Sequence, residues 1–418
     1  MTTISHLKSR QVFDSRGFPT IETDVCLADG SVASAIVPSG ASTGSYEAHE
    51  LRDQNKEYLN KSVFNAVENV NIKINKVLKG MNPFDQVNID NALIELDGTK
   101  NKSKIGANSI LSVSIANCKA AAKSKKKEIF EHLSTGGNYK LPYPLMNIVN
   151  GGAHANNSLN IQEFMIRPDG AQSFQECMQY GFVIIQNLKK NLLKKNFSTN
   201  VGDEGGFAPN LNSDEEAIEL ILESITQSGF TPGKHISICL DVASNELYDG
   251  NKYSMIHNKK FNVSELLEYY KSLVEKYPIT SLEDPVFEDD WATWSNLTSL
   301  LGDKIQIVGD DLFVTNFDRL SKGIKNASAN SILIKLNQIG TVSETIKTIE
   351  LAQTKGLSTI ISHRSGDTED TFISDLAIAT KSNQIKTGSL ARSERVAKYN
   401  RLLRIEESLK KPGMSKVK

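Results

Sequence analysis

From about residue 236 to residue 389 one pattern of apolar and polar positions recurs. A short apolar run ends in a polar or charged residue, and a helical stretch with one apolar face follows. The runs are "ISICLDVAS", "ITSLEDP", "IQIVGDDL", "SILIKLNQ", "LSTIISHRSG" and "NQIKTGS". Their terminal polar residues are Asp241, Glu283, Asp310, Lys335, His363 and Lys386, at intervals of 23 to 42 residues. Such intervals accommodate one strand, one helix and two loops. Amphipathic stretches such as "VSELLEYYKSLVEKY" and "TVSETIKTIELAQTKG" occupy the gaps. The pattern predicts a βα series, whose parallel strands must be covered by helices in an open doubly wound sheet or a closed (βα)8 barrel. Neither GxGxxG after a first strand nor GxxxxGK[ST] occurs, which disfavours the nucleotide-binding open sheets. The barrel is the expected architecture.

The N-terminal part reads differently. Residues 3 to 37 alternate in the short runs "RQVFDS", "PTIETDVCLADG" and "SVASAIVP", with "ADG" as a turn, predicting an antiparallel meander. From Ser62 to about Leu133 the period becomes helical, in "SVFNAVENVNIKINKVLKG" and "GANSILSVSIANCKAAAKSKKKEIFEHL". Gly and Pro punctuate "STGGNYKLPYP", the best linker candidate. The expected division is an N-terminal α+β domain at 1–135 and an α/β barrel at 136–418.

Length and charge agree with that division and narrow the partners. A chain of 418 residues exceeds the usual limit of one hydrophobic core. Its 48 Lys and Arg nearly cancel 49 Asp and Glu, so no global field attracts nucleic acid or an anionic membrane. The run Lys123 to Lys127 therefore reads as a solvated helix end. Cys26, Cys118, Cys177 and Cys239 form no CxxC and are widely spaced, which suggests neither disulfides nor zinc and points to a reducing cytoplasm. The near-neutral charge argues for a small-molecule partner, and since no signal-type leader and no apolar run of membrane-spanning length is seen, a soluble protein not exported by that route is expected.

In a barrel the six polar strand ends converge on one rim, where barrel active sites lie. Asp241, Glu283 and Asp310 would then repel one another unless a cation sat among them, and an all-oxygen set without cysteine suits Mg²⁺. Helix caps or surface acids are the plain alternative. Lys335 stands inside an apolar run, where an ammonium group needs partners. Near a metal ion and a second ammonium, Lys386, its pKa should fall, as a base near neutral pH requires. A structural ion pair is the competing explanation. In "VGDEGGFAPN", Gly205 and Gly206 allow a sharp turn behind Asp203 and Glu204, able to aim a carboxyl into a site. Base, acid and metal together describe proton abstraction beside a carboxylate, followed by loss of a leaving group.

The motifs "VPSGASTGSYEAHELRD", "MNIVNGGAHANN", "IQEFMIRP", "VGDEGGFAPN", "SLEDP", "GDDLFVTN", "LIKLNQIGT", "SHRSGDTEDTF" and "IKTGSLARSERVAKYNRLLRIEE" closely resemble the enolase (phosphopyruvate hydratase) family, of bacterial type. The resemblance runs from Ser15 to Glu407. It implies an α+β cap on a TIM-like barrel with an atypical start, two strands and two helices preceding the regular βα units. It implies reversible dehydration of 2-phosphoglycerate to phosphoenolpyruvate, with Lys335 as the base at C2 and Glu204 as the acid for the C3 hydroxyl. By the same resemblance Asp241, Glu283 and Asp310 hold a first Mg²⁺, and Ser39, in the lid loop "PSGASTG", joins a second that arrives with substrate. Arg364 and Ser365 would take the phosphate and Lys386 the carboxylate, with His154, Gln162, Glu163 and His363 lining the pocket. Asn156, Asn157, Asn245 and Asp367 depart from the usual family pattern, none at a position assigned to chemistry. The family forms homodimers and sometimes larger rings, which is the expectation for this chain.

Two other readings stay open at this level. One is a scaffold on the same fold, including a cell-surface fraction, reached by a non-signal route, that binds plasminogen through the terminal Lys418. It is opposed by the survival of every chemical residue. The other is a related enzyme acting on a different carboxylate, opposed by "SHRSG" and "GDEGG".

Overall fold

In a computed structural model, which describes residues 2–41, 43–134, 136–255, 259–410 and 412–417, the chain forms a three-stranded sheet with helices and a closed eight-stranded barrel. Strands β1 (Ile4–Phe13), β2 (Pro19–Leu27) and β3 (Val32–Ile36) form the expected antiparallel meander. Alternation along β2 buries Ile21, Thr23, Val25 and Leu27. The helix Ala107–Ser124 lies against β2 and β3, and its small side chains allow close approach: Ser112 Oγ is 2.7 Å from Thr23 Oγ1. That helix ends at the lysine run, where Lys123, Lys125, Lys126 and Lys127 are all exposed.

The barrel consists of β4 (Tyr143–Asn150), β5 (Glu163–Arg167), β6 (Ser237–Asp241), β9 (Ile279–Glu283), β10 (Gln306–Gly309), β11 (Ser331–Ile334), β12 (Ser358–Ser362) and β13 (Gln384–Lys386). A hairpin outside it, β7 (Tyr253–Met255) and β8 (Lys259–Phe261), precedes β9. Six of the barrel strands are the six apolar runs of the repeating pattern. The start is atypical as expected: β5 runs antiparallel to both β4 and β6, and two helices, Phe174–Lys194 and Asp214–Gln227, separate β5 from β6. All the other pairings around the barrel are parallel.

The barrel interior is packed rather than hollow. Leu145, Met165, Cys239, Val308, Leu333 and Ile360, from six strands, form an apolar plug of their own. Towards the N-terminal end of the parallel strands the buried Arg167 donates to Gln306 Oε1 at 2.6 Å and Gln384 Oε1 at 2.8 Å, closing the bottom. With one end closed, a small molecule can reach the interior only from the other rim, where the polar strand ends lie. Among the described residues, no helix is long and apolar enough to cross a membrane.

Candidate active site

Strand register builds the first part of the site. Glu163 pairs with Asp241, and Asp241 with Glu283, so three carboxylates stand level on neighbouring strands. Glu163 reaches this rim as the first residue of its strand because β5 runs the other way. All three are buried, and Lys386 Nζ meets them together: Glu283 Oε1 at 2.8 Å, Asp241 Oδ2 at 2.9 Å and Glu163 Oε1 at 3.1 Å. Burial raises Glu163 and Glu283 well above the ordinary carboxylate range, with Glu204 adding most to the first and Asp241 to the second. Burial pushes Asp241 the same way, yet Lys386 outweighs it and holds Asp241 low.

The second part centres on Lys335, just past β11. Its ammonium contacts Asp310 Oδ2, while Asp310 Oδ1 accepts from Gln338 Nε2 at 2.8 Å. Thr315 Oγ1 accepts the Lys335 backbone N–H at 2.9 Å and donates to Gln338 Oε1 at 2.8 Å, so one hydroxyl ties lysine and amide together. Thr315 is held at φ 53°, a left-handed value unusual for a β-branched residue. Burial pulls the Lys335 pKa down and Arg364 and Lys386 assist, but Asp310 and Glu283 outweigh them, leaving it above its ordinary value. The expected lowering was for a lysine beside a metal ion; the protein's own groups by themselves act in the other direction.

Glu204 forms the third part. At Gly205, φ is +85° and an added Cβ would lie 2.6 Å from the Ala391 carbonyl, so only glycine lets the loop turn the acid inward. Glu204 Oε2 accepts from Asn147 Nδ2 at 3.1 Å and lies 3.2 Å from His363 Nε2, while Oε1 is 3.8 Å from His154 Nε2. Arg395 can only donate, and its Nη1 lies 2.6 Å from His363 Nδ1, so the neutral ring carries its proton on Nε2, toward Glu204. Burial lowers His363 to about 4 and lowers His154 as well. Burial raises Glu204, but the neighbouring imidazoles and Arg395 outweigh it and hold the acid below its ordinary range.

One cavity gathers most of the expected residues: His154, Gln162, Glu163, Glu204, Asp241, Asp310, Lys335, His363, Arg364, Ser365 and Lys386 line it. Glu283 stands behind the Lys386 ammonium. Ser39 is not brought in; its hydroxyl donates to Glu50 Oε2 at 2.9 Å and accepts from Arg52 Nη2 at 3.2 Å. Lys418 lies outside the described residues. The metal acids also differ in grouping from the expected trio. Asp310 sits with Asp284 and Asp311, ligand oxygens within 4.8 Å of one another, and His154, Glu163 and Glu204 form a second such group. Lys335 pairs with Asp310, while Lys386 pairs with Asp241 and Glu283.

Sequence reasoning missed Asp284, Asp311, Gln338, Thr315, Asn147, Arg395 and Glu47. Asp284 and Asp311 follow named acids directly, so "EDP" and "GDD" carried their signal. Asp284, at φ 40°, accepts the backbone N–H groups of Asp310 and Asp311 at 2.9 and 2.8 Å, which fixes both acids.

The donor set fits a hard divalent cation. It is all oxygen on the acid side, two ammonium groups stand where positive charge is needed, and Glu163 Oε2 and Gln162 Oε1 are buried without a hydrogen-bond partner among the described residues. Residues 4–133 match the family described as Enolase, N-terminal domain, and residues 138–416 match Enolase, C-terminal TIM barrel domain. The chain belongs to the enolase family. It is 60% identical over 420 residues to the enolase of Pelagibacter ubique (strain HTCC1062), covering 100% of both chains. Enolase activity follows from membership: the chain is a lyase that interconverts 2-phosphoglycerate and phosphoenolpyruvate in glycolysis, with the divalent metal that enolase chemistry employs.

Proposed function

We propose that the residues divide the enolase reaction between them as the motif resemblance implies. Lys335 takes the C2 proton, and Glu204 assists departure of the C3 hydroxyl. Asp241, Glu283 and Asp310 would hold one Mg²⁺, and Ser39, from the lid loop, would join a second that arrives with substrate. The ions, when bound, supply positive charge beside the substrate carboxylate. Arg364 and Ser365 bind the phosphoryl group and Lys386 the carboxylate, while His154, Gln162, Glu163 and His363 wall the pocket. The observation that carries this reading is that a lysine and a glutamate with separate supports, the Asp310–Gln338–Thr315 chain and the Asn147–His363–Arg395 chain, line one closed-bottom cavity.

The chain's own residues account for the proton steps. Burial, Arg364 and Lys386 act to lower the Lys335 pKa against Asp310 and Glu283, and a cation held by Asp310 would weaken that opposition and favour the lysine as a base. Glu204 would enter this step protonated and give that proton to the C3 hydroxyl, which leaves as water, and the carboxylate so formed lies 3.2 Å from His363 Nε2 and near the Arg395 charge. Ser39 reaches a metal only by leaving Glu50 and Arg52, which suits a residue of a moving lid. The test separates the two roles by exchange of the substrate C2 hydrogen with solvent deuterium. Lys335→Ala should lose both exchange and dehydration, and Glu204→Gln should lose dehydration and keep exchange. If Lys335→Ala still exchanges, Lys335 is not the base.

The proposed organisation is a cap at 1–135 and a barrel at 136–418, assembled as a homodimer or larger ring. Support for assembly comes from an exposed aromatic cluster on the cap: Phe13 and Phe64 are 57% and 46% exposed around Tyr58, with ring centroids 6.5 and 5.8 Å from it. Free cysteines, three of them buried, suit a cytoplasmic site of action. A plasminogen-binding surface fraction would depend on Lys418, and no described residue favours it.

A further inference from the structure

Arg364 arrives at the cavity with one edge already engaged. Its Nη1 donates to Glu47 Oε2 at 2.9 Å and its Nη2 to Glu47 Oε1 at 3.1 Å, and Nη1 also donates to Asn337 Oδ1 at 3.0 Å. Two parallel N–H groups meeting two oxygens of one anion is the geometry by which a guanidinium takes a phosphate. Both side chains are buried, 2% exposed for Arg364 and 9% for Glu47, so the pair is shielded from solvent.

Glu47 belongs to the segment that follows the lid loop, not to the barrel. Its turn is closed twice, by the Glu47 N–H to the Gly44 carbonyl and by the Gly44 N–H to Glu47 Oε1, both at 3.2 Å. The next contact is Gln338 Nε2, 3.3 Å from Glu47 Oε1, the same amide that donates to Asp310. On the far side of the turn, Ser45 donates to Glu288, and Tyr46 donates to Asp289 Oδ2 at 2.9 Å while its ring stacks 3.8 Å from the Arg319 guanidinium carbon. Glu47 therefore links the lid segment to the residue read as the phosphate contact.

We propose that Glu47 is an internal stand-in for the substrate's phosphoryl group. It compensates and orients the buried Arg364 while no phosphate is present, and an incoming phosphoryl group displaces it. This rests on reading Arg364 as the phosphate contact. Two arguments favour displacement over permanent support. A phosphoryl group carries close to two negative charges and a carboxylate one, so the guanidinium prefers the phosphoryl group. A carboxylate left in place would also stand beside that dianion, a repulsion that burial strengthens. Once released, Glu47 keeps its contacts to Gln338 and Gly44, so it is not left bare. The exchange passes from Arg364 to the Gly44–Glu47 turn, coupling phosphate arrival to the lid segment.

The test is competitive inhibition of the Mg²⁺-loaded enzyme by inorganic phosphate. Glu47→Gln, which keeps size and removes charge, should lower the inhibition constant for phosphate by about fivefold or more, and lower KM for 2-phosphoglycerate in the same direction. Glu47→Asp, which keeps the charge, should stay near the parent value. Arg364→Gln should raise the constant, and adding Glu47→Gln to it should no longer lower it, because the competition acts through Arg364. If Arg364→Gln leaves phosphate inhibition unchanged, the phosphate reading of Arg364 fails and the stand-in with it. If Arg364→Gln weakens phosphate while Glu47→Gln leaves its constant unchanged or raises it, the phosphate reading stands and the stand-in is wrong.

Discussion

Lys386→Met is the most direct probe of how this site is held together. Methionine nearly preserves the volume and removes the charge that Asp241, Glu283 and Glu163 share at 2.8 to 3.1 Å. The three acids do not depend on it equally. Glu163 and Glu283 already lie above the ordinary carboxylate range, so each can hold a proton, whereas Asp241 is kept low chiefly by Lys386 against its burial. Removing one partner of a buried ion pair typically destabilises by about 3 to 5 kcal/mol, and protonation of the other two acids sets the expectation at the low end, about 3 kcal/mol. For 418 residues unfolding together, the unfolding entropy is about 0.9 kcal/mol per degree, so the metal-free variant should melt about 3 °C below its parent.

The pH dependence of that difference has a definite sign. Asp241 is depressed in the folded chain, so its contribution is present above the unfolded value of about 3.9 and is lost as the pH falls through the lower folded value. Lys386 is raised, so its contribution is present below the unfolded value of about 10.4 and is lost only as the pH rises through its higher folded value. The gap between parent and variant should be widest between those limits and close on the acid side. Calorimetry in chelator across pH measures it, and adding excess Mg²⁺ should raise the variant's Tm by more than the parent's, the ion then supplying the missing charge. A variant that melts within about 1 °C of its parent at neutral pH, or gains no more from Mg²⁺, would refute Lys386 as the counter-charge of these acids.

The other expectations are simpler. Lys335→Arg should stay folded and lose turnover by about 10² to 10⁴, because a guanidinium keeps the Asp310 pairing and cannot deprotonate, and near-normal turnover would make Lys335 an ion-pair partner only. Exhaustive chelation should abolish turnover, and Asp241→Asn should require more Mg²⁺ for half-maximal rate, read from a metal titration. His363, at about 4 when folded against about 6.5 when unfolded, should cost about 3 kcal/mol of stability as the pH falls from 6.5 to 4, and His363→Gln should flatten the parent's loss of Tm over that window.

How much of this could be read from the chain depends on where each strand stands. From Asp241 onward the strands are parallel and buried on both faces, so each appears as an apolar run with a polar end, and the rim residues were legible by position. Before Asp241 that rule fails. Glu163 begins its strand instead of ending it because β5 is antiparallel, so only the motif resemblance pointed to it. Gln338, Thr315 and Arg395 were illegible for another reason. They touch Asp310, Lys335 and His363 through side-chain hydrogen bonds that no periodicity encodes. The lysine run was correctly legible as a solvated helix end, since near-neutral total charge leaves it no partner field.

The raised pKa of Lys335 sharpens the reason for a buried lysine. An ammonium group fixed on Asp310 cannot take a proton, yet the same contact, with Gln338, keeps the Asp310 carboxyl in place for a cation. Lys386 does this for Asp241, holding it ionised against its burial. The two lysines and a divalent ion are thus alternative counter-charges for one set of acids, and the arrival of one alters what the other can do. Burial and the neighbouring Arg364 and Lys386 charges already act to lower the lysine's proton affinity, so a cation that shared Asp310 would favour the neutral lysine proposed as the base without any movement of the backbone. Glu47 and Arg364 repeat the arrangement on the phosphate side, where a carboxylate of the lid segment stands in for an anion as Lys386 stands in for a cation. In both halves of the site a protein group of the ligand's own sign of charge meets the residues proposed to bind that ligand, so that binding would exchange one partner for another and leave no buried charge bare.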